Sequence, residues 1–161
     1  MMVQMTDIVA GLFAISGAPL SEESPAGHFA WDGQTFRLGG VNTYGRLHEL
    51  SHWLIATEEE RALPEFGLGT SPWYGTLEAP DTATWNDDRD SWNMEHRASL
   101  LGILFMKRLG LDWAQVAKSH GWDDLMWGGE TRRRQDMKWL RGRNLLTPNG
   151  RPTLLQGVRV R

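Results

Sequence analysis

From Thr43 to about Glu60, the apolar positions Leu47, Leu50 and Trp53 or Leu54 return at helical spacing, and Glu58, Glu59 and Glu60 make a charged, solvated end. Pro64 and the glycines of EFGLGTSPWYG stop that helix. A second helix is predicted from about Ser91 to Leu109, with Met94, Ala98, Leu101, Leu104 and Phe105 on one side and Gly110 as its C-cap. LDWAQVAKSHGW reads as a short helix with Asp112 as N-cap and Gly121 at its end. Glu130 to about Leu145 has the pattern of an amphipathic basic helix.

Between the helices the period changes. HFAWDGQTFRLGG sets aromatic and β-branched residues around Asp32-Gly33, which predicts a hairpin over Gly27 to Leu38. LLTPNGRPTLLQGVRV predicts a turn between two short strands. Pro72 to Asp90 is a loop long enough to be functional or mobile. Together these elements predict an α+β fold in one compact domain over 1–161, with two principal helices packed against a small sheet or hairpins.

Composition narrows this picture. A chain of 161 residues with 40% hydrophobic content can bury one core. It has no cysteine, so disulfides, thiolate metal sites and cysteine nucleophiles are excluded, and any metal must use nitrogen and oxygen ligands. The apolar stretch from Ile8 to Leu20 is too short and too interrupted to span a bilayer, and the N-terminus lacks the positive region of a signal peptide. The expectation is a soluble, cytoplasmic protein without a membrane partner. Net charge is -3, but Thr131 to Arg161 carries nine Lys or Arg against Asp136 alone, which leaves the rest of the chain strongly acidic. This basic segment, 131–161, suits nucleic acid or an acidic protein partner, and equally its own acidic body.

The candidate chemistry lies in His48-Glu49-Leu50-Ser51-His52. On a helix, residues four apart lie about 40° apart around the axis, so His48 and His52 can grip one ion. Glu49, about 100° away, lies beside that ion and can contact bound water or a substrate proton. The pattern arises by chance only about once in a few hundred chains of this size. A third ligand should come from another element. Glu95, at the start of the second helix, is the candidate and His96 its rival, although a Glu in that place also favours a helix N-terminus for simple electrostatic reasons. Two imidazoles and a carboxylate suit zinc, with Glu49 as the base in hydrolysis, or iron(II), with open positions for dioxygen and substrate.

LHELSHWLIATEEERALPEFG, from Leu47 to Gly67, resembles the metal-binding signature of the elongation factor P hydroxylase family. The matching positions are His48, Glu49, His52, Trp53, Ile55, Ala56, Arg61, Glu65, Phe66 and Gly67, and the likeness resumes at Glu95 with Leu104 and Phe105 nine and ten residues on. The resemblance implies His48, His52 and Glu95 as ligands of a non-haem iron that inserts oxygen into a C–H bond, with His96 reduced to a neighbour. Its implied substrate is a modified lysine of elongation factor P. It covers about Thr43 to Leu109, under half of the chain. After Gly67 the chain departs from the family's Tyr-Trp-Tyr and Pro-Asp-Gly-Arg, although Trp73 and Tyr74 can serve as equivalent aromatic walls. A short chain with its own Arg-rich end fits a compact relative, of the kind a phage genome encodes, acting on another lysine, another amine or a nucleic-acid base.

Several neighbours carry two expectations each. Trp53 either lines the metal pocket or packs beneath it. Arg61 and Glu65 either pair behind the histidines and orient them, or form a surface ion pair. Tyr44 either sets a phenol near the metal, one turn before His48, or lies in the loop leading to the helix. His28 and His120 are taken as structural. The functional expectations are therefore an iron(II)-dependent hydroxylase, a zinc hydrolase or peptidase of gluzincin type, or a nucleic-acid-binding protein with a structural metal, for which the helix pair around DWAQVAKSHGW offers a faint helix-turn-helix likeness.

Overall fold

The computed structural model describes residues 4–25, 29–68, 89, 91–115 and 129–158. The order of elements is α1 (Met5–Ser16), β1 (Leu20–Ser21), β2 (Phe36–Arg37), α2 (Thr43–Ile55), α3 (Glu58–Arg61), a 3-10 turn (Pro64–Gly67), α4 (Ser91–Arg108), α5 (Gly129–Gly142) and a second 3-10 turn (Thr153–Leu155). The result is an α+β domain, mostly helical, with one two-stranded parallel sheet. Among the described residues, no helix is long and apolar enough to cross a membrane.

The core is built around α2 and α4, which share the most extensive helix contact. Leu47 and Leu50 of α2 meet Met94, Ala98, Leu101 and Phe105 of α4 in one buried cluster, joined by Val9, Leu12 and Phe13 of α1 and Leu140 of α5. Glu95, Ala98 and Gly102 share a face of α4, being three and seven residues apart. A Cβ built at Gly102 lies 3.4 Å from the Cα of His48 and 3.6 Å from Ser51 Oγ, so small residues let the two backbones approach. Ser51 turns its hydroxyl back onto the Leu47 carbonyl at 2.7 Å, leaving no unpaired donor in that contact.

The segment α1 was not anticipated from the sequence. Val9, Leu12 and Phe13 form its buried stripe, and Gly17, at φ 78°, caps its C-terminus. The helix expected from Thr43 to Glu60 is two helices. The chain is extended at Ala56, and Thr57 begins α3 with a capping box in which its hydroxyl accepts from Glu60 N while Glu60 accepts from Thr57 N. The signal was present as Thr-x-x-Glu. The second expected helix is α4, ended by Gly110 at φ 74°, and the basic helix is α5.

The hairpin around Asp32-Gly33 is tighter than expected. Asp32 Oδ1 accepts from the N–H groups of Gln34 and Thr35, both at 2.8 Å, and one antiparallel bridge joins Trp31 to Phe36. Beyond the bridge, Phe36–Arg37 pairs in parallel with Leu20–Ser21. Gly27 and His28 lie outside the described residues. At the C-terminal end the expected turn is present, with an antiparallel bridge from Leu146 to Pro152. The expected second strand is instead the 3-10 turn Thr153–Leu155, which buries Leu155 against the core. Asp112 caps the backbone N–H of Gln115 as expected, and the rest of that helix, with His120, lies outside the described residues.

Because the α2–α4 spacing is set at Gly102, its substitutions should separate by size. Gly102→Ala should fold with stability within about 1 kcal/mol of the parent, since helix propensity favours Ala while the contacts are only just tight. Gly102→Leu should cost about 1–3 kcal/mol or more by forcing the helices apart. Thermal unfolding of the two variants checks this.

Candidate metal centre

Three side chains from two helices meet at one point. His48 and His52 are one turn apart on α2, and Glu95 reaches them from the first turns of α4. His48 Nε2 lies 2.9 Å from Glu95 Oε1, His52 Nε2 lies 2.9 Å from Glu95 Oε2, and the two Nε2 atoms are 3.1 Å apart. His48, His52 and Glu95 each offer a ligand atom, all within 4.8 Å of one another, so the three side chains could hold one divalent metal. Both imidazoles are buried, whereas 43% of the Glu95 side-chain surface is exposed.

The imidazole of His52 is fixed by stacking. The Phe66 ring lies 5.8 Å from it at 14°, and Trp31 stacks on Phe66 in turn at 5.6 Å and 4°. Phe66 occupies this place because Glu65 and Phe66 both adopt left-handed backbone, φ 48° and 58°, inside the Pro64–Gly67 turn. Such a conformation costs roughly 1–3 kcal/mol per non-glycine residue. A two-way clamp holds it: Glu65 N donates to the Trp31 carbonyl at 2.9 Å, and Trp31 N donates to Glu65 Oε1 at 3.0 Å.

Glu65 and Arg61 therefore do not pair with each other, contrary to one expectation. Arg61 donates twice to the Trp53 carbonyl, at 3.0 and 2.7 Å, and lays its guanidinium 4.2 Å over the Trp53 ring. Trp53 in turn packs edge-on against Trp31 and donates its indole N–H to the Ser16 carbonyl, so it ties α2 to α1 and belongs to the packing. Tyr44 is within α2, not in a preceding loop, and is buried one turn before His48. His96 is half-buried and outside the three-residue cluster. Trp73 and Tyr74 lie outside the described residues.

The electrostatics are those of several carboxylates around two imidazoles. Burial pushes Glu95 upward, but the charges and hydrogen bonds of His52 and His48 outweigh it and hold its carboxyl well below the usual range. Burial works against a charged His52, yet Glu95, with help from Glu49 and Glu65, lifts it to about 9. Burial, reinforced by the Glu65 charge, raises Glu49 to about 7, and Glu49 Oε2 is buried without a hydrogen-bond partner among the described residues. Burial also raises Glu65. The metal-free cluster thus holds a proton on His52 that an incoming cation must displace.

The sequence points to His48, His52 and Glu95 as candidate ligands but gives no sign of what holds His52 in place. The stack through Phe66 and Trp31 depends on residues far from His52 in the chain and on a backbone kink at Glu65 and Phe66, neither of them glycine. Comparison with protein-family profiles, with curated proteins and with solved structures yields no significant match.

Two outcomes are expected. Glu95→Ala should lose most bound divalent metal and His96→Ala should retain it, measured by metal content after dialysis; the reverse would move the third ligand. Metal affinity should fall about tenfold per pH unit below pH 9, because the His52 proton competes, and calorimetry near neutral pH in two buffers should find about one proton released per metal. In the metal-free protein, the stability that this raised histidine contributes is fully present below its unfolded value of 6.5 and is lost as pH rises through 9.

Proposed function

We propose that the protein is an iron(II)-dependent hydroxylase with His48, His52 and Glu95 as its metal ligands. The observation that carries this is the convergence of His48, His52 and Glu95 from two helices, with each imidazole Nε2 2.9 Å from an oxygen of Glu95. Two imidazoles and one carboxylate leave coordination positions of a divalent ion free for other ligands, the donor set that the two-His, one-carboxylate oxygenases use. The resemblance of Leu47 to Gly67, and of Glu95 with Leu104 and Phe105, to the elongation factor P hydroxylases supports the same conclusion.

Iron(II) held there would supply open coordination positions for dioxygen and a substrate. The chain's own residues prepare the site for that. His48 and His52 are held in fixed rotation, His52 by the Phe66 ring. Glu95 brings the negative charge that retains a divalent ion, and Glu49 holds or releases a proton near neutrality beside it. The substrate class proposed is an amine-bearing side chain such as lysine, on elongation factor P or another acidic protein, and the proposed location is the cytoplasm.

One observation favours a second reading. A carboxylate poised at about 7 next to the ligands is what a zinc hydrolase needs in its base, and Glu49 has that property. The two readings separate in one experiment. After anaerobic loading with iron(II) or zinc, oxygen uptake with a lysine-containing acceptor should occur with iron alone and vanish in His48→Ala. Peptide cleavage by the zinc form, abolished in Glu49→Gln and without oxygen uptake by the iron form, overturns the hydroxylase.

A further inference from the structure

Arg89 stands two residues before α4, and its guanidinium reaches the far end of α2. Its Nε and Nη2 donate to the two oxygens of Glu60 at 2.7 and 2.6 Å, and Nη2 also donates to the carbonyl of Ile55, the last residue of α2, at 3.0 Å. The same guanidinium lies 5.6 Å from the centre of the Trp139 ring of α5. One side chain thus joins the start of α4 to α2, α3 and α5. Glu60 is held in turn by accepting from Thr57 N at 2.8 Å, which fixes the carboxylate that Arg89 grips.

The meeting points of the two ligand-bearing helices run in opposite order along the chain. Gly102 lies against His48, Glu95 against His48 and His52, and Arg89 against Ile55. The metal ligands therefore sit between two anchors. One is the close backbone approach at Gly102, and the other is the ion pair at Arg89.

Glu95 depends on the second anchor. Its side chain is 43% exposed, so packing alone does not wedge it in place, and its reach to both imidazoles follows from where the first turns of α4 lie. Met94 and Ala98 in the core set how α4 is turned, but helix ends fray unless something holds them. Arg89 supplies that hold. Its pair with Glu60 is only 13% and 15% exposed, and an ion pair so far out of water yields little net stability because desolvation offsets its attraction. What it secures is one geometry, since a planar guanidinium must meet two carboxylate oxygens and a carbonyl together.

We propose that Arg89 is a positioning residue for the third metal ligand, fastening the start of α4 to Glu60 and Ile55 so that Glu95 stays against His48 and His52. The assignment rests on the ligand set proposed above, whichever divalent ion occupies it. Cobalt(II) is the probe, because its visible absorption changes when a carboxylate leaves its coordination sphere. In the full-length protein, Arg89→Gln should weaken cobalt(II) binding about tenfold or more, as removal of groups that orient ligands does, and shift the absorption towards that of Glu95→Ala. Arg89→Lys keeps the charge without the paired geometry and should weaken binding as well. Glu60→Gln should act like Arg89→Gln, and the double variant should lose no more than either alone, because each removes the same contact. Arg37→Gln, which breaks an ion pair with Glu23 away from both ligand helices, should bind like the parent. Helix content is measured on each variant under the titration conditions, so that only folded proteins are compared, and Glu60→Gln carries the test where Arg89→Gln does not fold. Parental affinity and spectrum in Arg89→Gln despite a lower unfolding temperature, or additive losses in the double variant, overturn the proposal and leave the pair purely structural. Absence of cobalt(II) binding by the parent instead overturns the metal centre itself.

Discussion

The close approach of α2 and α4 is the constraint on which the rest of this structure depends. Facing helices can bring histidine and glutamate side chains together in the space between them. Here Gly102 and Ala98 remove bulk from the face of α4 that carries Glu95, and Ser51 does the same on α2 between the two histidines. The glutamate can then touch both imidazoles at once. The apolar cluster of Leu47, Leu50, Met94, Leu101 and Phe105 holds the pair together, so the hydrophobic effect supplies the force that keeps charged groups in contact.

That contact concentrates charge in a poorly solvated place. Glu49, Glu65 and Glu95 all act on His52; the first two are raised chiefly by burial, with the Glu65 charge adding to Glu49 and the Glu95 charge adding to both. A fold carrying such a cluster without a cation would be destabilised by like charge, which a protonated His52 only partly relieves. A divalent ion bound by these three side chains would relieve it further, by neutralising Glu95 and displacing the histidine's proton. The left-handed pair Glu65–Phe66 adds a local cost in backbone strain, and what that strain secures is the aromatic stack from Trp31 through Phe66 to His52.

The basic end of the chain has a comparable logic on the opposite side of α4. Asp136 is buried between Arg97 and Arg132 and docks α5 onto α4, while Trp139 gathers further guanidinium groups. Arg89 extends the network to the end of α2, bonding Glu60 twice and the Ile55 carbonyl once. Part of the charge of residues 131–161 thus holds the domain together, while Arg133, Arg134, Lys138 and Arg141 are exposed on α5.

The sequence by itself determined whatever depends on local period and composition. Helical spacing marked α2 and α4, Gly110 the end of α4 and amphipathic composition α5; the absence of cysteine restricted any donors to nitrogen and oxygen, and the i, i+4 pair His48 and His52 pointed to a metal site because a helix places such residues on one face. Glu95 was legible only as a candidate, since a carboxylate at a helix start has an electrostatic use of its own. What brings it to the histidines is the packing of α4 against α2, to which Gly102 contributes and which no local pattern encodes. Tertiary structure likewise separated Arg61 from Glu65, because the Trp31 amide and the Trp53 carbonyl compete for them more closely than they do for each other. It also decided that Phe66 would fix His52. The physical reason is common to these cases: periodicity reports which face a residue is on, whereas its partner is chosen by packing between segments far apart in the chain.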